Sequence, residues 1–214
     1  VFASLKECTV DADVIIDFSN AKAVDALLAY GVEKQIPIVL CTTGLSEQQL
    51  ADVEKAYEKV AILKSANMSL GINTLMELLK KAAQVFAPAG FDMEIVEKHH
   101  NQKLDAPSGT ALALADSMNE ALDEAYTYTY DRSQKRKKRD KYEIGLSSVR
   151  GGNIVGEHEV IFAGTDEVIT ISHTAYSRAI FAKGVFAKGA VEAAKFLNGK
   201  GAGHYDMADV IAAK

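Results

Sequence analysis

Short apolar blocks alternate with longer amphipathic ones along the first third of the chain. Residues 12–17 (ADVIID), 36–41 (IPIVLC) and 60–64 (VAILK) are brief, largely β-branched runs without a polar face. Runs of that kind predict strands buried on both sides. Between them, residues 21–33 carry Val24, Leu27 and Leu28 at helical spacing, and residues 46–58 predict a helix opened by Ser46 with Glu47 in its first turn. Strand, helix, strand, helix, strand predicts a parallel sheet with right-handed crossovers.

The pattern then changes. Residues 69–87 place Ile72, Leu75, Met76, Leu79, Ala83 and Phe86 on one stripe of a long helix, the signature of core packing. Residues 91–98 set Phe91, Met93 and Ile95 against Asp92 and Glu94, a strand with one covered face. A loop from Asn101 to Pro107 leads to a helix from about Ser108 to Leu122. From Tyr126 to Lys141 the chain is polar and predicts a solvated, mobile loop, whose basic run Lys135–Arg139 could also steer an anion. Residues 142–150, 154–163 and 167–175 predict three antiparallel strands joined by short turns, the first at Gly151-Gly152-Asn153. Helical periodicity returns from Arg178 to Leu197, and residues 206–213 predict a short terminal helix or strand. The expected fold is α/β: a partial Rossmann-type parallel sheet domain (residues 1–68 with 178–214) plus an α+β domain with a mixed sheet (residues 69–177).

Composition narrows the function. The 214 residues are 48% hydrophobic and 25% charged, as in ordinary globular domains. A net charge of −5 argues against nucleic acid as the main partner. No apolar run reaches the ~18 residues of a membrane span. Cys8 and Cys41 form neither a disulfide framework nor a zinc spacing, so a reducing, cytoplasmic setting is expected.

The chemistry concentrates in His99–Ala111, HHNQKLDAPSGTA. Ser108 can cap a helix whose first N–H groups belong to Gly109 and Thr110, and such a helix start attracts anions. His99, His100 and Lys103 would surround a bound carboxylate with proton donors. That combination suits a small acid that must be protonated or reduced; the alternative is a polar loop before a capped helix. The carboxyl ends of the first three strands, Asp17-Phe18-Ser19, Cys41-Thr42-Thr43-Gly44 and Ser65-Ala66-Asn67-Met68, mark one sheet edge where a ligand would bind. No GxGxxG follows any strand.

The chain resembles the 4-hydroxy-tetrahydrodipicolinate reductases (dihydrodipicolinate reductases) of bacterial lysine biosynthesis. The resemblance rests on EIVEKHHNQKLDAPSGTALALA at 94–115, VIIDFS at 14–19 and CTTG at 41–44, and continues through SANMSLGIN at 65–73, VRGGNIVGEHEVIF at 149–162 and the segment 172–190. It implies reduction of 4-hydroxy-tetrahydrodipicolinate by NADH or NADPH, with loss of water, in a homotetramer joined through residues 142–175. By the same resemblance His99 is the acid/base histidine and Lys103 the proton donor. His100, Gly109, Thr110 and Thr43 bind substrate, and Cys41, Thr42, Thr43, Ser65, Ala66, Asn67 and Met68 line the nicotinamide end of the cofactor. Cys41 stands where the family commonly has glycine. The family's glycine-rich first strand, loop and helix have no counterpart here, so this polypeptide is expected to bind cofactor poorly. Cleft closure about Ser69 and Tyr176–Arg178 is a further expectation. The competing readings are another two-domain nicotinamide dehydrogenase, a self-associating fragment, and a metal-dependent binding protein using His99, His100, His158 and His173. Adjacent histidines on a strand point to opposite sides, so no metal site is expected.

Overall fold

The apolar runs of the first third form short parallel strands. In the computed structural model, which describes residues 2, 4–65, 67–133, 135–177 and 185–214, β1 (Ile15–Asp17), β2 (Ile38–Leu40) and β3 (Ala61–Lys64) pair in parallel. A three-residue strand, β9 (Gly203–Tyr205), joins β3 and completes the order β1-β2-β3-β9. Alternation along the strands sends Ile38, Leu40 and Ile62 to one face and Val39, Ala61 and Leu63 to the other. The first set packs against α1 (Ala21–Lys34) and α2 (Glu47–Tyr57), the second against α5 (Val185–Leu197) and α6 (Met207–Ala212). Helices on both faces are what a sheet of purely apolar strands requires. Asn20 caps α1, and Ser46 and Gln49 form a reciprocal capping box at α2.

The chain divides into two compact units, residues 1–73 with 183–214, and residues 74–182. The second unit is built on β4 (Asp92–His99), the central strand of the order β5-β6-β4-β7-β8. Its partners are β5 (Thr127–Tyr130), β6 (Glu143–Arg150), β7 (Gly156–Ala163) and β8 (Val168–Ala175). Met93, Ile95, Ile144, Leu146, Val160 and Phe162 turn one face toward α3 (Leu70–Phe86) and α4 (Gly109–Glu120), where Leu79, Ala83, Leu114 and Met118 bury against them.

Three expectations are corrected. The strands at 142–150, 154–163 and 167–175 are not an antiparallel meander. Only β7 and β8 are so paired; β6 runs parallel to β4 and β5, and β7 takes the opposite edge of β4. The polar stretch after Tyr126 begins with a strand, Thr-Tyr-Thr-Tyr, whose β-forming alternation was hidden by its polarity. Nor is the basic run a free loop. Because β5 and β6 are parallel, the intervening chain must run back along the sheet, a crossover usually made by a helix. Here ion pairs hold it: Arg139 reaches Asp92 at 2.9 Å, Glu94 at 3.0 Å and the Met93 and Glu143 carbonyls, while Arg132 pairs with Glu94 and the buried Glu143. The Glu94 carboxylate lies where a Cβ of residue 145 would be, which is why that strand position is glycine.

At the other end of the chain, residues 207–212 are helical, opened by an Asp206–Asp209 capping box. Of the helix expected from Arg178, the structure describes Val185–Leu197; residues 178–184 lie outside the described residues.

Gly189 of α5 has a specific packing role. A Cβ there would overlap the backbone carbonyl of Met68, in the loop after β3. Gly189→Ala is therefore expected to destabilise the protein by about 1–3 kcal/mol, the usual cost of overpacking, read as a lower urea midpoint at unchanged m-value.

Candidate active site

The end of β4, the end of β6 and the start of α4 meet around one buried carboxylate. Glu97 and His99 are two residues apart on a strand and so share a face. Glu97 is 1% exposed. Its Oε2 lies 2.5 Å from His99 Nδ1 and accepts from Arg150 Nη1 at 2.9 Å; its Oε1 accepts from Arg150 Nη2 at 2.7 Å and from the Ser108 amide at 3.2 Å. Burial pushes this carboxyl up, but the donors Arg150, Ser148 and His99 outweigh it and bring it down to about 2. Arg150 is aligned with His99 by the β4–β6 register and also donates to the Asp105 carbonyl at 2.7 Å. The Gly151-Gly152 turn closes the strand end: the Gly151 amide donates to His99 and the Asn101 amide to Gly152.

His158 stands beside this group on β7. Its ring meets that of His99 edge-on at 5.2 Å, and its Nε2 lies 3.1 Å from Ser108 Oγ. Ser108 Oγ also accepts the Ala111 amide, the cap expected of it. Burial, reinforced by His99 and His173, pushes His158 down to about 4, so it is neutral at physiological pH.

The remaining predicted residues of this region lie on the adjoining loop and helix start. His100 is half-buried, and its Nδ1 accepts the Gln102 amide. The Lys103 amide is tied to the His100 carbonyl, and its ammonium pairs with Asp105 at 2.8 Å. Asp105 is held below the usual carboxylate range by Lys103 first, and also by the backbone amide of Gly109. Gly109 and Thr110 form the first turn of α4. The structure thus places His99, His100, Lys103, Gly109 and Thr110 on the end of β4, the loop after it and the start of α4, where Lys103 pairs with the Asp105 carboxylate.

The other predicted residues lie on the four-stranded sheet. Cys41-Thr42-Thr43 and Ser65, Asn67 and Met68 follow the carboxyl ends of the neighbouring strands β2 and β3. Ala66 lies outside the described residues. Thr42 is buried and donates to Asp17 at 2.6 Å, while Thr43 and Gly44 are exposed, Gly44 with φ +73° and open space where a Cβ would be. Burial and then Asp17 push the Cys41 thiol up to about 12, so it is uncharged. Asn67 accepts the Ser69 amide, and Asn73 donates to the Asn67 carbonyl, which fastens this loop to the start of α3. Met68 is buried among Ala190, Ala193 and Leu197, and its carbonyl packs against Gly189. Gly44 leaves this edge open beside the Thr42–Asp17 pair.

Two family models together match nearly all of the chain. "Dihydrodipicolinate reductase, N-terminus" matches residues 1–68 and "Dihydrodipicolinate reductase, C-terminus" residues 71–211. The chain belongs to the dihydrodipicolinate reductase family. Among relatives of this family, the 4-hydroxy-tetrahydrodipicolinate reductase of Caldanaerobacter subterraneus subsp. tengcongensis is 54% identical over 211 residues, 99% of this chain and 81% of that protein. That of Clostridium novyi is 47% identical over 214 residues, 100% of this chain and 82% of the relative. Among solved structures, a dihydrodipicolinate reductase from Paenisporosarcina sp. TG-14 with bound dipicolinate shares the fold: TM-score 0.73 and 24% identity, covering 92% of this chain and 73% of that one.

In this dihydrodipicolinate reductase chain, the residues around His99 that pattern reading did not place in this site are Glu97, Arg150 and His158, the last considered only as a metal ligand. Glu97 was legible, since a buried acid at i−2 shares the histidine's face. Arg150 and His158 were not, because the β4–β6 and β4–β7 pairings that place them had not been foreseen. Among the described residues, no three His, Cys, Asp or Glu side chains are grouped as a metal ion would need.

The depressed His158 sets a sign. On acidification the unfolded chain takes the proton near ~6.5, whereas the folded histidine resists it down to about 4. The stability this contributes is present above ~6.5 and lost as pH falls through the window to about 4. His158→Gln is expected to flatten the fall of unfolding free energy in that window, measured by urea titrations at successive pH values.

Proposed function

We propose that this chain reduces 4-hydroxy-tetrahydrodipicolinate to tetrahydrodipicolinate with NADH or NADPH, the lysine and diaminopimelate biosynthetic step for which its relatives are named. The observation that carries the reading is the Lys103 ammonium already paired with a carboxylate, that of Asp105, at 2.8 Å. A substrate carboxylate takes that place, with Thr110 and His100 as its other donors and Thr43 as a further contact.

The residues Cys41, Thr42, Thr43, Ser65, Ala66, Asn67 and Met68 hold the nicotinamide end of the cofactor, and residues 1–68 with 178–214 form the dinucleotide-binding domain. When bound, the cofactor supplies hydride to a ring carbon of the substrate. Charge built on the substrate by hydride arrival needs a proton, and Lys103, whose ammonium already pairs with the Asp105 carboxylate, delivers it. His99 serves the accompanying proton movements. The protein acts in the cytoplasm as a homotetramer joined through residues 142–175, whose β8 turns alternate residues outward.

Pyridine-2,6-dicarboxylate, a planar mimic of the substrate, tests the cradle without turnover. Calorimetry is expected to show binding by this chain and a loss of at least about tenfold in Lys103→Ala, since a charge-assisted contact of ~1.5–3 kcal/mol is removed. Equal affinity in the folded variant would take Lys103 out of the site. In turnover, Lys103→Ala is expected to cost at least ~100-fold, the low end of general acid catalysis.

A further inference from the structure

Glu97 can only accept hydrogen bonds at neutral pH. It lies buried against the Nδ1 side of His99, and Arg150 closes it with two parallel N–H···O bonds. A neutral imidazole beside an acceptor-only group must place its proton on the nitrogen facing that group. In His99 that nitrogen is Nδ1. Nε2 is then left with its lone pair. It lies beside Gly156, where a Cβ would come within 3.1 Å of it, so glycine at that position leaves the nitrogen room.

We infer that Glu97, braced by Arg150, is the positioning residue of the reductase site: it fixes the His99 proton on Nδ1 and makes Nε2 the nitrogen that exchanges protons with the substrate. The inference rests on the reductase reading and deepens it. Proton uptake forms an Nε2–H bond, and the resulting imidazolium faces the Glu97 carboxylate. Proton release breaks that same bond and regenerates the Nδ1–H form, so the ring returns to its starting tautomer without rotating. Other charged or titratable groups near the ring are few. His158 approaches from β7 as a neutral edge-on ring, Arg150 from β6 is already paired, and Lys103 is paired with Asp105. The same carboxylate also accepts the Ser108 amide, and Arg150 also holds the Asp105 carbonyl. One group therefore sets both the histidine tautomer and the position of the helix start that presents Gly109 and Thr110.

Nitrogen-15 NMR of the histidine-labelled chain tests this, with His99 assigned by comparison with His99→Gln. Expected for the unliganded chain is a protonated Nδ1 and an unprotonated Nε2; a proton on Nε2 instead overturns the inference without any further variant. The double variant Glu97→Leu/Arg150→Met removes the acceptor and its counter-charge together, an exchange that buried ion pairs commonly tolerate. It is expected to move the His99 proton predominantly to Nε2, and retention on Nδ1 overturns the inference. Titration of the unsubstituted chain with pyridine-2,6-dicarboxylate separates this inference from its parent. Binding that shifts Nε2 but leaves Nδ1 protonated supports both. Binding that leaves Nε2 unshifted overturns the role given to Nε2 alone. Absence of binding counts against the reductase reading, and the tautomer result then stands by itself.

Discussion

A carboxylate buried to 1% exposure is tolerable only where every lone pair is met, and Glu97 is met from three elements at once. Arg150 comes from the end of β6, His99 from its own strand and the Ser108 amide from the start of α4. Desolvation of the charge is offset by one bidentate cation and by the further donors His99, Ser148 and the Ser108 amide. Removing any partner would leave charge uncompensated in the interior, so the three elements are held to a common geometry. The functional side chains inherit their positions from that arrangement. His99 hangs directly from it, Ser108 places the first turn of α4, and the Asp105 carbonyl ties the intervening loop to Arg150.

The sheet order explains why such a hub can exist. β4 is the central strand, with parallel β6 on one side and antiparallel β7 on the other. Parallel pairing brings the carboxyl end of β6 alongside that of β4, so Arg150 arrives opposite His99. Antiparallel pairing brings the opening half of β7 to the same place, so His158 arrives opposite Glu97. A meander of the kind the strand spacing suggested would have put the opening of β6 there instead. The parallel arrangement demands a crossover between β5 and β6. Arg132 and Arg139 supply by ion pairing what a helix supplies by packing, and Gly145 makes room for the Glu94 carboxylate that both of them share.

The sequence therefore revealed local structure better than pairing. The three apolar runs, the capped helices at Ser46 and Ser108 and the stripe from Ile72 to Phe86 were legible, because each depends on residues within a turn or two of one another. The hidden parts were non-local. The partners of Arg139 lie 45 and 47 residues away at Glu94 and Asp92, and those of Arg150 lie 53 residues away at Glu97, and no periodicity within one element carries such information. Strand β9 escaped notice for another reason: Gly-His-Tyr has no apolar run, and it becomes a strand only because β3 offers it an edge. The candidate chemistry followed the same division. His99, Lys103 and the Gly109–Thr110 helix start are contiguous and stood out, whereas the groups that orient them are spread over three strands.

Asp105 is held from two sides that differ in strength. Its carboxylate pairs with the Lys103 ammonium at 2.8 Å from a side chain that is 57% exposed, and an ion pair so placed contributes little. Its carbonyl accepts from Arg150 at 2.7 Å, and that contact ties the loop to the guanidinium that braces Glu97. The loop is thus anchored through its backbone rather than through its charged side chain, and the His99 ring stays where the buried carboxylate holds it.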